Sequence, residues 1–273
     1  KIPLSNRLRL FNGIQRITWV ATPSDYDQVF SELKSLEGIV VGGQAVNFWA
    51  SFYRQRCLEL EDYVPFESRD LDIYGNIQLA NKLSEKLGWR MLNHLQERIF
   101  CIATLIGPEE EILEILKSVH GLKAADLEMK VYTTRVTMDS KYEIPILTPI
   151  ALLQAKLASW KDFDQTDKEG LQIRQDLKHL KISLLITHEF LRDLLEADEN
   201  PEGSRSAIAH LNKVKAILSH EYGQEFMREY GPLWSKVFPI KHLKNSSKKR
   251  YRNFYENQIV PLLWCSIISL SFL

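Results

Sequence analysis

The doublet Gly42-Gly43 constrains this chain more than any other feature. It follows the apolar run "GIVV" (Gly38–Val41) and precedes "QAVNFWASFYR", which reads as a helix. A short buried strand that meets a helix across two glycines makes a tight turn. There the backbone can approach a neighbour closely, and the positive end of the helix can face an anion. "SRDLDIYG" (Ser68–Gly75) follows as a strand of period two. Leu71 and Ile73 face one way, while Asp70, Asp72 and Tyr74 face the other.

The remaining pattern divides the chain in two. "TPSDYDQVFSELKSLEG" reads as a helix with Pro23 and Ser24 or Asp25 as start signals. "CLELEDYVPFES" reads as a loop, and "NIQLANKLSEKLG" as a helix capped by Asn76 and stopped by Gly88. "RIFCIATLI" and "EEILEILKSV" read as strands joined by the turn "GPEE"; "LEMKVYTTRVTM" and "YEIPIL" read as a further pair. At Thr148-Pro149, a cap followed by proline at the first helical position, the texture changes. From there to about Asn257 the pattern is helical, with breaks near Phe163–Thr166, Asn200–Ser204, Tyr222–Gly223 and Pro239. The expected class is α+β: a mixed sheet flanked by helices in 1–147, an all-helical domain in 148–256 and an apolar tail in 257–273.

Lys+Arg and Asp+Glu both number 35, so no global field draws the chain to nucleic acid or to a membrane. Cys57, Cys101 and Cys265 are widely spaced and odd in number, which fits neither a disulfide framework nor a zinc site and suggests a cytoplasmic setting. The N-terminal stretch is too charged for a secretory signal. The tail "IVPLLWCSIISLSFL" is short of the roughly 20 residues that span a bilayer. It reads as a core or interface element, with a short anchor as the alternative, and it suggests a homodimer or a partner protein.

Two carboxylates on one strand face repel each other, and each raises the other's pKa unless a cation lies between them. Oxygen-only ligands suit a hard ion such as Mg²⁺, which takes one or two carboxylates and fills its shell with water and substrate phosphates. The plain alternative is a solvated or edge-strand face. A phosphate held at the glycine turn beside a carboxylate-bound metal is an arrangement suited to phosphoryl or nucleotidyl transfer.

"VVGGQAVNFWASFY" with "SRDLDIYG" resembles the DNA polymerase β-like nucleotidyltransferase superfamily, including bacterial toxin and abortive-infection types. The resemblance covers about Gly38 to Leu180. It implies a nucleotidyltransferase-type mixed sheet with a third carboxylate on a neighbouring strand, here Glu114 in "EILEILKSVHGL". It further implies two Mg²⁺ ions held by Asp70, Asp72 and Glu114, with Glu114 taking a proton from the acceptor hydroxyl. A nucleoside triphosphate would be the donor, cradled by Gly42 and Gly43. Ser68 and Arg69 flank the acids and would touch phosphate, although Arg69, on the opposite face from Asp70, suits packing against a helix or pairing elsewhere. "ILTPIALLQAKLASW" resembles the segment that presents a lysine, Lys156, which would pair with the triphosphate as a point charge, and "RQDLKHL" resembles a later helix with an aspartate, Asp176, which would also belong to the nucleotide site. Three departures stand out: the loop Tyr53–Glu67 is an insertion, the third acid is Glu, and Gln44 replaces a small hydroxyl residue.

Each candidate has an ordinary reading beside the functional one. Glu114 is one of several acids with Glu109, Glu110 and Glu111; Lys156 lies on an amphipathic helix; Asp176 suits an ion pair; His120 suits a structural role. "KHLKNSSKKRYRNFY" brings six cations, Lys241 to Arg252, among aromatics. That suits an RNA acceptor, or a solvated helical end. The resulting expectation is Mg²⁺-dependent transfer of a nucleoside monophosphate to a hydroxyl of RNA, protein or a small molecule. The alternative is a catalytically inactive nucleotide-binding or toxin-antitoxin interaction module.

Overall fold

The computed structural model describes residues 21–93, 100–129, 133–138, 142–165, 174–199 and 206–263. A 3-10 turn, Pro23–Tyr26, leads into α1 (Asp27–Leu33). β1 (Ile39–Val41) runs straight into α2 (Gly42–Tyr53); a 3-10 segment (Leu58–Tyr63) and β2 (Leu71–Tyr74) follow. Next come α3 (Ile77–Leu87), β3 (Arg90–Asn93), β4 (Cys101–Ile106), β5 (Ile112–Leu116), α4 (Ala124–Glu128), β6 (Thr133–Met138) and β7 (Tyr142–Leu147). From Pro149 every described element is helical: α5 (Pro149–Asp162), α6 (Asp176–Glu199), α7 (Ser206–Ser219), α8 (Glu221–Tyr230), the 3-10 segment Gly231–Val237, α9 (Ile240–Asn245) and α10 (Lys249–Phe254). The chain forms two compact units, 1–52 with 63–155, and 53–62 with 156–273.

The first unit is mixed α+β. Its seven-stranded sheet has the order β3-β4-β5-β2-β1-β7-β6. β1 is antiparallel to β2 and parallel to β7, and Ile39, Val40 and Val41 are all buried, as suits a strand covered on both faces. β2 pairs in parallel with β5, setting Leu71 beside Leu113, Asp72 beside Glu114 and Ile73 beside Ile115. The four apolar members are fully buried, while the acids on the opposite face are half-buried. This alternation sets the register: a slip of one residue would carry the acids into the core. The indole Nε1 of Trp49 donates to the Leu147 carbonyl at 2.8 Å, joining α2 to the end of β7.

Most elements lie where the sequence places them, and the departures have local causes. β3 was not foreseen; "RMLN" is a mostly exposed edge strand with little apolar alternation. Leu127 belongs to α4 and not to a strand, since Ala124 and Ala125 favour helix and Asp126 suits its first turn. The expected loop after Cys57 contains a 3-10 segment built around Leu60, which is fully buried. The break expected at Tyr222–Gly223 falls at His220. Gly223 lies inside α8 because a Cβ there would stand 2.5 Å from Leu218 Cα and 2.6 Å from the Ile217 carbonyl.

In the second unit α6 packs against α7 and the Gly231–Val237 segment, and Trp234, Phe226 and Phe238 are buried. No described helix is long and apolar enough to cross a membrane. The break expected near Phe163–Thr166 is present, since α5 ends at Asp162 and Phe163–Gln165 are non-helical. The N-terminal stretch 1–20, Thr166, the break expected at Asn200–Ser204, Cys265 and the tail from 264 on lie outside the described residues.

The Asn76 side chain accepts from the Leu79 N–H at 3.0 Å and caps α3. Asn76→Ala is expected to lower stability by about 1 kcal/mol, read as a shifted urea midpoint with an unchanged slope.

Candidate functional site

The sheet register builds the acidic site. Val41, Asp72, Glu114 and Thr104 lie side by side across β1, β2, β5 and β4. Asp70 precedes β2 and joins the pair from the chain before the strand. One carboxylate oxygen from each of Asp70, Asp72 and Glu114 lies within 4.8 Å of the other two, and all three residues are half-buried. Opposite ligands of one Mg²⁺ stand about 4 Å apart, so small side-chain movements bring these oxygens onto a shared ion. An all-oxygen donor set of three carboxylates suits a hard divalent cation.

Gly42 has a positive φ of 68°. A Cβ at this position would overlap the Asp72 carboxylate, lying 2.8 Å from its Cγ and 2.9 Å from its Cβ. Only glycine permits both the backbone angle and the approach. The start of α2 therefore lies directly against Asp72, and Gly42 and Gly43 carry first-turn N–H groups that such a helix leaves without intrahelical partners. The residues present thus fit a divalent ion and an anionic ligand side by side.

The surroundings carry the charge of the acids. Tyr26 is 1% exposed, and its hydroxyl donates to the Ile112 carbonyl at 3.0 Å. Burial raises the Tyr26 hydroxyl far above the ordinary phenol range, and the negative charges of Asp70, Asp72 and Glu111 raise it further. Gln44 is fully buried; its Nε2 donates to the Ala21 carbonyl at 2.8 Å. Ser68 is buried, and its backbone exchanges two hydrogen bonds with Ala21. Arg69 is exposed, and His120 sets its ring edge against Phe100.

Lys156 and Asp176 belong to the second unit and meet each other there. The Lys156 ammonium donates to Asp176 Oδ1 at 3.0 Å with both side chains buried, and the Arg174 guanidinium holds the other carboxylate oxygen. Much of the basic stretch is also engaged: Lys248 and Arg250 pair with buried Asp198, Arg252 donates to the Ser246 and Ser247 carbonyls, and Lys244 lies over the Tyr255 ring. Lys241, Lys244 and Lys249 remain exposed.

The structure thus brings Asp70, Asp72, Glu114 and Gly42 together in one unit and joins Lys156 to Asp176 in the other. Tyr26 and Gln44 went unread as site residues. The first reads as an ordinary apolar helix position, and the second stood out only as a departure from the nucleotidyltransferase motif that the segment resembles. Comparison of the sequence with protein-family models and with curated proteins finds no match.

Two outcomes follow from these contacts. Gly42→Ala is expected to cost more than about 1 kcal/mol, because the alanine is strained and displaces Asp72; chemical denaturation measures it. Burial alone would raise the Asp176 carboxyl, but Lys156 and Arg174 outweigh it and hold the group below its ordinary range. Its contribution is therefore fully present above the unfolded value of about 3.9 and is lost as pH falls through the folded value. Asp176→Asn is expected to cost roughly 3–5 kcal/mol near neutrality, and to flatten the acid limb of a stability-versus-pH curve.

Proposed function

We propose that this protein transfers a nucleoside monophosphate from a nucleoside triphosphate to a hydroxyl acceptor, with Mg²⁺ held by Asp70, Asp72 and Glu114. The observation that carries the reading is the cluster of three carboxylates against the glycine-started N-terminus of α2. The resemblance of "VVGGQAVNFWASFY" and "SRDLDIYG" to the DNA polymerase β-like nucleotidyltransferases supports it, as does the pairing of Asp72 with Glu114 on adjacent parallel strands.

Bound Mg²⁺ would supply charge neutralisation for the triphosphate and a lowered pKa for the attacking hydroxyl. The chain's own groups do the rest. Gly42 and Gly43 offer backbone N–H donors, and the positive end of α2 favours the phosphate charge. Asp70 and Asp72 orient the donor, while Glu114 accepts the acceptor's proton. The sheet ladder places Asp72 and Glu114 side by side before any ligand arrives, which limits the reorganisation that accompanies reaction. Lys156 is paired with Asp176, and that pair supports the second unit.

Thermal unfolding in each of the four ribonucleoside triphosphates, with and without Mg²⁺, tests the reading. A ligand at 100 times its dissociation constant should add roughly 2.7 kcal/mol, and Asp72→Asn should abolish that gain. Pyrophosphate release with an acceptor then separates an enzyme from a module that only binds nucleotide. Absence of any nucleotide-dependent shift in the native protein would refute the proposal.

A further inference from the structure

Asp72 and Glu114 are held by the sheet ladder, but Asp70 is not. It lies ahead of the first ladder residue of β2, Leu71. Three carboxylates brought this close repel one another, so something besides the sheet must fix the third. The chain two residues before Asp70 is tied by a reciprocal pair: Ala21 N–H to the Ser68 carbonyl at 2.8 Å, and Ser68 N–H to the Ala21 carbonyl at 2.9 Å. The same Ala21 carbonyl accepts from Gln44 Nε2 at 2.8 Å. One oxygen thus receives a donor from the Asp70 arm and another from the first turn of α2, which fills both lone pairs.

Ala21 is itself held by a rigid neighbour. Thr22 N–H and Thr22 Oγ1 both donate to Asp25 Oδ2, at 2.7 and 2.9 Å, and Pro23 fixes the backbone between them. The segment ends at Tyr26, whose hydroxyl binds the Ile112 carbonyl at the start of β5, the strand that carries Glu114. Six residues therefore touch each of the three chain segments that form the site.

We propose that the segment Ala21–Tyr26 is a positioning strap for the acidic site, in which Gln44 and Tyr26 are positioning residues that hold the Asp70 arm and the glycine turn in register with Glu114. The proposal rests on the metal-site reading above. It also gives Gln44 a role other than phosphate contact: fully buried, it works through Ala21. Outer-shell partners of metal ligands commonly change metal affinity by about 10–100-fold when removed.

The test compares Mn²⁺ binding, measured by electron paramagnetic resonance, and amide hydrogen exchange over Arg69–Leu71 in the native full chain, Gln44→Met, Tyr26→Phe and the cap variant Asn76→Ala. All are measured at a temperature where circular dichroism shows each one folded. Gln44→Met keeps the length and removes the donor; Tyr26→Phe removes only the hydroxyl. Both are expected to weaken Mn²⁺ binding about tenfold and to speed exchange at Arg69–Leu71. Asn76→Ala lowers stability but should change neither. If folded Gln44→Met binds Mn²⁺ within about twofold of the native protein, where an outer-shell role predicts tenfold, the strap is overturned while the metal site stands. A native protein that takes up no Mn²⁺ overturns the metal site itself, and the positioning role with it.

Discussion

The approach of the Gly42 backbone to the Asp72 carboxylate governs the arrangement of the first unit. It requires β1 and β2 to be antiparallel neighbours with Val41 opposite Asp72, and it requires a residue without a side chain where β1 becomes α2. Once that contact is made, the parallel pairing of β2 with β5 delivers Glu114 to the same side. The helix N-terminus and the acids are then neighbours of opposite electrostatic character. The positive end of α2 offsets part of the repulsion among three carboxylates, and a bound cation would offset more.

Among the described residues of the second unit, the buried carboxylates follow one rule: each has a cationic partner. Asp176 is held by Lys156 and Arg174, and Asp198 by Lys248, Arg250 and the Tyr251 hydroxyl. Glu189 keeps Arg56 and Arg192, yet burial still raises its carboxyl above the ordinary value. At the acidic site, by comparison, like charges are gathered at a half-buried surface.

What the sequence revealed was local. Period-two alternation placed Asp70 and Asp72, and cap signals placed the ends of α3, because each depends on neighbours a few residues away; Glu114 came only from the family resemblance. What it concealed depends on distant partners. Gln44 meets Ala21 across 23 residues and Tyr26 meets Ile112 across 86, so neither contact leaves a periodic trace. Lys156 read as a free lysine until folding brought Asp176 to it, and the basic stretch read as a surface until Asp198, 52 residues before Arg250, supplied its counter-charge. β3 stayed hidden because an exposed edge strand carries little apolar pattern.

The second compact unit is discontinuous in the chain. Tyr53 bonds Asp193 across 140 residues, Arg56 reaches Asp193 and Glu189, and Lys236 reaches back to Glu59. Leu60 is fully buried in the same unit. On the ribosome, the short segment 53–62 leaves the exit tunnel long before α6 exists to receive it. Loop-closure entropy must be met before those contacts form, which makes this part of the molecule slow to assemble. A fragment cut at the start of α5 would lack the 53–62 segment altogether, so the helical half is not a detachable module, and its folding draws on a piece of chain made well before it.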